Sequence, residues 1–185
     1  MEVIPLGRVN QTALAVVAAH LQAFFSLNSL VTEPRPEPDY ALIPARGQYD
    51  AYAILQQLSQ ANGPRPISLG VVSVDLCLPF LSHVFGEALM GSQAAIISLH
   101  RLMLQENGAP APRDLCLERL AKVALHEVAH LLGLSHCEQV RCLMRFSESL
   151  TSLDRVGLSL CRRCERLLNT ARKRLFPPNR DLRLP

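Results

Sequence analysis

At 185 residues, 49% hydrophobic and 19% charged, the chain is long enough for one folded domain with a buried core. No uninterrupted apolar stretch reaches the roughly 18 residues of a membrane helix, which excludes a helical membrane span. The net charge of +3 is uneven, because residues 161–185 carry eight Lys/Arg against two Asp/Glu and leave −3 on the rest. That basic end is expected to be the solvated face of a last helix rather than a nucleic-acid contact.

Glu2 to Val9 reads as a first strand and Thr12 to Leu27 as a helix enriched in Ala, Val, Leu and Phe. The N-terminal residues have no cationic start and no small-residue cleavage site after an apolar run, so a cytoplasmic protein is expected. Thr32 to Tyr40 contains three prolines and reads as a loop, with a short strand at Ala41 to Ile43. Gln48 to Ala61 is predicted helical, stopped by Asn62-Gly63-Pro64. Ile67 to Leu76 alternates and is β-branched, and Ser82 to Phe85 and Ala94 to Leu102 read as further strands. After a proline-bearing break at Asn107 to Arg113, Asp114 is the expected N-cap of a helix over Leu115 to Leu132. That helix is apolar nearly all round, which implies burial between layers. Asp154 to Leu175 reads as the last helix, giving a layered α/β molecule.

The densest chemistry lies in the 39 residues from His126 to Cys164. His126-Glu127-Val128-Ala129-His130 puts two histidines four residues apart, hence one above the other on a helix, where both imidazoles can reach one metal. Glu127 stays near that face without being a ligand. Gly133 permits a turn that returns His136 as a third ligand, and three protein ligands leave a position open for water, the pattern of a catalytic metal. Two imidazoles and a carboxylate in an apolar helix would be costly without such partners.

Cys137 and Cys142, then Cys161 and Cys164, form C-x4-C and C-x-x-C pairs suited to a tetrahedral thiolate site. Disulfides are the competing reading, and the lack of a secretory leader weighs against them. Cys77, in an expected strand, and Cys116, early in an expected helix, read as small buried residues.

This stretch resembles the archaemetzincin family of zinc metallopeptidases, in which the extended H-E-x-x-H helix is followed at once by four cysteines enclosing a methionine. Upstream, Ser73-Val74-Asp75-Leu76, Phe80 to Ala88 and Ser98-Leu99-His100-Arg101-Leu102 resemble that family's strands; downstream, Cys142 to Ser147 and Ser149 to Asp154 resemble its stretch after the third histidine. The likeness covers residues 65 to 168, with a looser match at Arg46-Gly47-Gln48-Tyr49.

The resemblance implies a metzincin-like single domain of α/β class, with a mixed, twisted sheet packed on helices, a zinc-binding helix, a Met-turn and a C-terminal helix. Residues 1–133 would form an N-terminal subdomain and 134–185 a smaller C-terminal one. Two zinc ions are implied: a catalytic ion on His126, His130 and His136, and a structural ion on Cys137, Cys142, Cys161 and Cys164. Met144 matches the Met-turn residue, and Glu127 matches the general base that would take a proton from a zinc-bound water.

The gap of 16 residues between Met144 and Cys161 is one shorter than the family's spacing. Phe146 stands where some other metzincins carry a tyrosine ligand, so that role is absent. The expected activity is peptide-bond hydrolysis, with an aminopeptidase form suggested by the family. The expected partner is a peptide or protein substrate, with neither membrane nor nucleic acid; oligomeric state is not legible. The alternative reading is a catalytically feeble, zinc-stabilised binding or regulatory module. His100, at the end of the strand before the zinc helix, is read as a structural histidine that could otherwise border the cleft.

Overall fold

The computed structural model describes residues 1–60 and 66–175. The predicted stop at Asn62-Gly63-Pro64 and the last ten residues of the basic end lie outside the described residues. Strand β1 (Glu2–Leu6) leads into helix α1 (Gln11–Phe25), whose first turn is closed by the Asn10 side chain accepting from the Thr12 and Ala13 N–H groups. Short strands β2 (Leu30–Val31), β3 (Leu42–Ile43) and β4 (Gln48–Asp50) precede helix α2 (Ala51–Ser59). Then come β5 (Ser68–Val72), β6 (Leu76–Leu78), β7 (Leu81–Val84), β8 (Gly86–Ala88) and β9 (Ala94–Ser98). Helices α3 (Arg113–Leu131), α4 (Leu150–Arg155) and α5 (Arg162–Leu175) complete the described elements.

Two sheets form. The larger has the order β2-β1-β5-β9-β8 and is parallel except for β8, which runs antiparallel to β9 along the outer edge. The smaller has the order β3-β4-β6-β7. Strands β5 and β9 are buried along their whole length, as expected for parallel strands covered on both faces. Leu69, Val71, Ala95 and Ile97 point to the side of α1 and α3, while Val72, Ala94 and Ile96 join Ile54, Leu55 and Leu58 of α2 in a second core. Helix α3 packs against α1, β9 and β8. Its central stretch from Arg119 to Leu125 is buried on every side, which confirms its place between layers.

Several predicted elements shift. Residues 48–50 pair with β3 and β6 as a strand before the helix begins, because the Asp50 side chain caps α2 by accepting from the Tyr52 and Ala53 N–H groups. The expected strand Ile67 to Leu76 ends at Val72 and its last residue opens β6 in the other sheet. The strand from Ala94 stops at Ser98, and Arg101–Met103 form a 3-10 turn. Helix α3 starts at Arg113 directly after Pro112, and Asp114 lies in its first turn instead of capping it. The predicted last helix is two helices. A capping box between Ser149 and Ser152 starts α4, and the chain leaves it at Val156 before α5 begins at Arg162.

Candidate metal centres and cleft

Helix α3 presents His126 and His130 one turn apart, and the reason it ends where it does fixes the rest of the site. Gly133 takes φ +89, where a side chain would be strained. The Gly133 N–H donates to His130 O and the Leu134 N–H to Ala129 O, the paired bonds of a Schellman close. The reversed chain brings His136 back over the helix. The Nε2 atoms of His126 and His130 lie 3.0 Å apart and those of His130 and His136 3.2 Å apart.

Tautomers decide what those nitrogens can do. His126 Nδ1 is 2.8 Å from Leu143 O, and His130 Nδ1 is 2.7 Å from Leu134 O. A carbonyl can only accept, so each Nδ1 carries the proton and each Nε2 turns a bare lone pair toward the other. Such facing lone pairs repel unless a cation lies between them. Tetrahedral zinc with about 2.05 Å bonds separates its nitrogens by about 3.3 Å, so the donor set fits that ion. Burial pushes the pKa of His126 down to about 4, and it also lowers those of His130 and His136, keeping all three in the neutral form a metal needs.

Glu127 is buried beside them, and burial first, then the Glu87 charge, drives its pKa well above the ordinary carboxylate value. It lines a cleft of about 410 Å³ with the three histidines, β7 and β8 on one side and Arg145 to Glu148 on the other. That volume falls within the usual range for ligand sites.

The four thiols form a second cluster below. One ligand atom from each of Cys137, Cys142, Cys161 and Cys164 lies within 4.8 Å of the others. Cys137 and Cys161 sulfurs are 3.8 Å apart, close to the spacing of about 3.8 Å that zinc–thiolate bonds of about 2.3 Å give, and too far for a disulfide. All six cysteines are free thiols, so the disulfide reading is not met. The Cys164 backbone N–H leads in lowering Cys161 to about 7, whereas burial raises Cys142 and Cys164. Cys77 is buried as expected; Cys116 is half-buried, with its sulfur 3.6 Å from Ala111 O.

Met144 joins the two clusters. Its side chain is buried, its carbonyl accepts from the Cys137 N–H at 2.7 Å, and the carbonyl before it, Leu143 O, orients His126.

The family model described as "Peptidase family M54" matches residues 41–170. The chain belongs to that family, the archaemetzincins. It is 41% identical to the archaemetzincin of Methanopyrus kandleri over 137 residues, 74% of this chain and 75% of that one. The crystal structure of archaemetzincin from the same organism matches with a TM-score of 0.79 and 34% identity, covering 94% and 96% of the two chains. A zinc-dependent peptidase from Methanocorpusculum labreanum matches at 0.79 with 27% identity over 91% and 99%. Membership makes this archaemetzincin a zinc metallopeptidase, and no described helix is long and apolar enough to cross a membrane.

Three site residues escaped the sequence. Gly86, Lys122 and Ser147 line the cleft. Lys122, a second cation after Arg119 in the stretch of α3 that is buried on every side, carried the only visible signal. His100 is exposed and lies outside the cleft, beside the Asp75–Arg101 ion pair. His83, by contrast, lines it.

Proposed function

We propose that the chain hydrolyses peptide bonds with His126, His130 and His136 holding the catalytic zinc and Glu127 as general base, and with Cys137, Cys142, Cys161 and Cys164 holding a second, structural zinc. The observation that carries the reading is the pair of bare Nε2 lone pairs, each set by a carbonyl on the opposite ring nitrogen, beside a buried carboxylate. A zinc ion held there supplies Lewis acidity toward the scissile carbonyl and toward water. Glu127, on the same helix as His126 and His130 and lining the same cleft, takes a proton from the attacking water and passes it to the leaving amine. Edge strand β8 offers main-chain groups to align an extended peptide. In this reading residues 1–133 and 134–185 act as one catalytic domain, the second part supplying the cleft's floor. The end preference taken from the family resemblance is for the amino terminus, and free thiols suit a reducing, cytoplasmic setting.

The test is turnover of a peptide library by the zinc-loaded protein beside its Glu127→Gln variant, with metal content measured for both. Two zinc ions per chain and turnover lost only in the variant are expected. Equal rates would leave the binding-module alternative standing, and one zinc per chain would remove the structural site. Acetylating the peptide amino termini abolishes cleavage if removal starts from that end.

A further inference from the structure

Lys122 lies one helical turn before His126 and is 2% exposed, yet it lines the same cleft as His126 and Glu127. Burying an ammonium group costs several kcal/mol unless it is paired, and a leucine or methionine would occupy the position without that cost. Its partners do not use it up. Nζ reaches Glu118 Oε1 at 2.7 Å and Leu153 O at 3.4 Å, so one of its three N–H groups has no acceptor among the described residues. Ser147, which also lines the cleft, has a buried Oγ with no partner at all among the described residues. Two donors without acceptors therefore line one cleft, together with the aliphatic side chains of Val123, Leu153 and Val156.

We propose that Lys122 and Ser147 build a carboxylate-binding subsite in this cleft, so that the peptidase favours substrates with a carboxylate close to the scissile bond. The proposal rests on the peptidase reading above. Lys122 supplies a charge-assisted hydrogen bond and Ser147 a second donor, while the aliphatic walls take the methylenes of an acidic side chain. Glu87 and Glu127 share the cleft, and Glu148 lies on its wall, so a carboxylate is accepted only beside Lys122. Two sources offer this chemistry: an Asp or Glu side chain flanking the bond, or the free carboxyl terminus of a short peptide.

The experiment uses matched peptides with Glu or Gln on either side of the cleaved bond, each with a free or amidated carboxyl terminus. Their kcat/KM on the zinc-loaded protein is read together with calorimetric binding to the Glu127→Gln protein. A preference of about tenfold or more for Glu over Gln at one position identifies the side chain, and one that requires the free terminus identifies the terminus. In Lys122→Met the ratio falls to about one, and in Ser147→Ala it falls several-fold. Melting temperature and zinc content establish that each variant is folded, and Lys122→Gln replaces Lys122→Met if the latter is not. A wild-type ratio near one, or a ratio unchanged in Lys122→Met, overturns the subsite. If no peptide is cleaved but the Glu peptide still binds more tightly through Lys122, the subsite stands and the peptidase reading fails.

Discussion

Adding one methyl group at Gly86 tests how tightly the cleft is set. A Cβ there would meet Glu127 Cγ at 2.8 Å, Val123 Cγ1 at 2.9 Å and Ile96 O at 2.9 Å, all closer than real Cβ atoms approach. Two of these neighbours are side chains on α3 and can turn aside. Ile96 O is backbone on the neighbouring strand β9, so β8 must move outward or Glu127 must swing. Overpacking of this kind costs about 1–3 kcal/mol, which lowers the melting temperature by about 2–12 °C for a chain of this size. A general base displaced by a fraction of an ångström to 1 Å loses up to about 100-fold in rate. Gly86→Ala is therefore expected to lower kcat on a fluorogenic peptide by about 10- to 100-fold, with zinc content unchanged. A variant with wild-type melting temperature and kcat would show that β8 and α3 have slack between them, and the argument that Gly86 positions Glu127 would be wrong.

Arg119 is 3% exposed and holds Asp154 with two 2.7 Å bonds while donating to Leu102 O and Leu104 O. Asp154→Ala strips a buried guanidinium of its counterion. It should cost about 2–4 kcal/mol, the lower part of the range because Asp154 is itself partly exposed; denaturant unfolding measures this, and a loss under about 0.5 kcal/mol would refute it. Asp75 joins β6 to the turn after β9 through Arg101 and also accepts from Gln48. Burial raises its pKa, but the Arg101 and Gln48 hydrogen bonds outweigh this and the net direction is down. A lowered carboxylate pKa contributes stability above the unfolded value of about 3.9, lost as pH falls through the folded value. Asp75→Asn should thus narrow the stability gap between pH 7 and pH 3, and an unchanged gap in urea titrations would contradict the assignment.

The candidate metal ligands stand out in the sequence because their chemistry is local. His126 and His130 are related by one helical turn, Gly133 by a turn only glycine makes cheaply, and the cysteine pairs by loop-scale spacing. Strand and helix limits were less legible. Residues 48–50 read as helix because nothing nearby reveals that β6, 27 residues later, would pair with them. The last helix read as continuous because the break at Val156 is set by the Ser149 cap before it and the thiol cluster after it.

The sequence by itself determined which atoms could hold metal, since ligand identity and helical periodicity need no partner from elsewhere in the chain. Only the tertiary structure decided what surrounds them. Leu143 O fixes the His126 tautomer from 17 residues away, Gly86 admits the edge strand against Glu127, and the folded layers bury Lys122 beside the cleft. These contacts depend on layers packing at van der Waals distance, and packing between distant segments leaves no period in the sequence from which to read it.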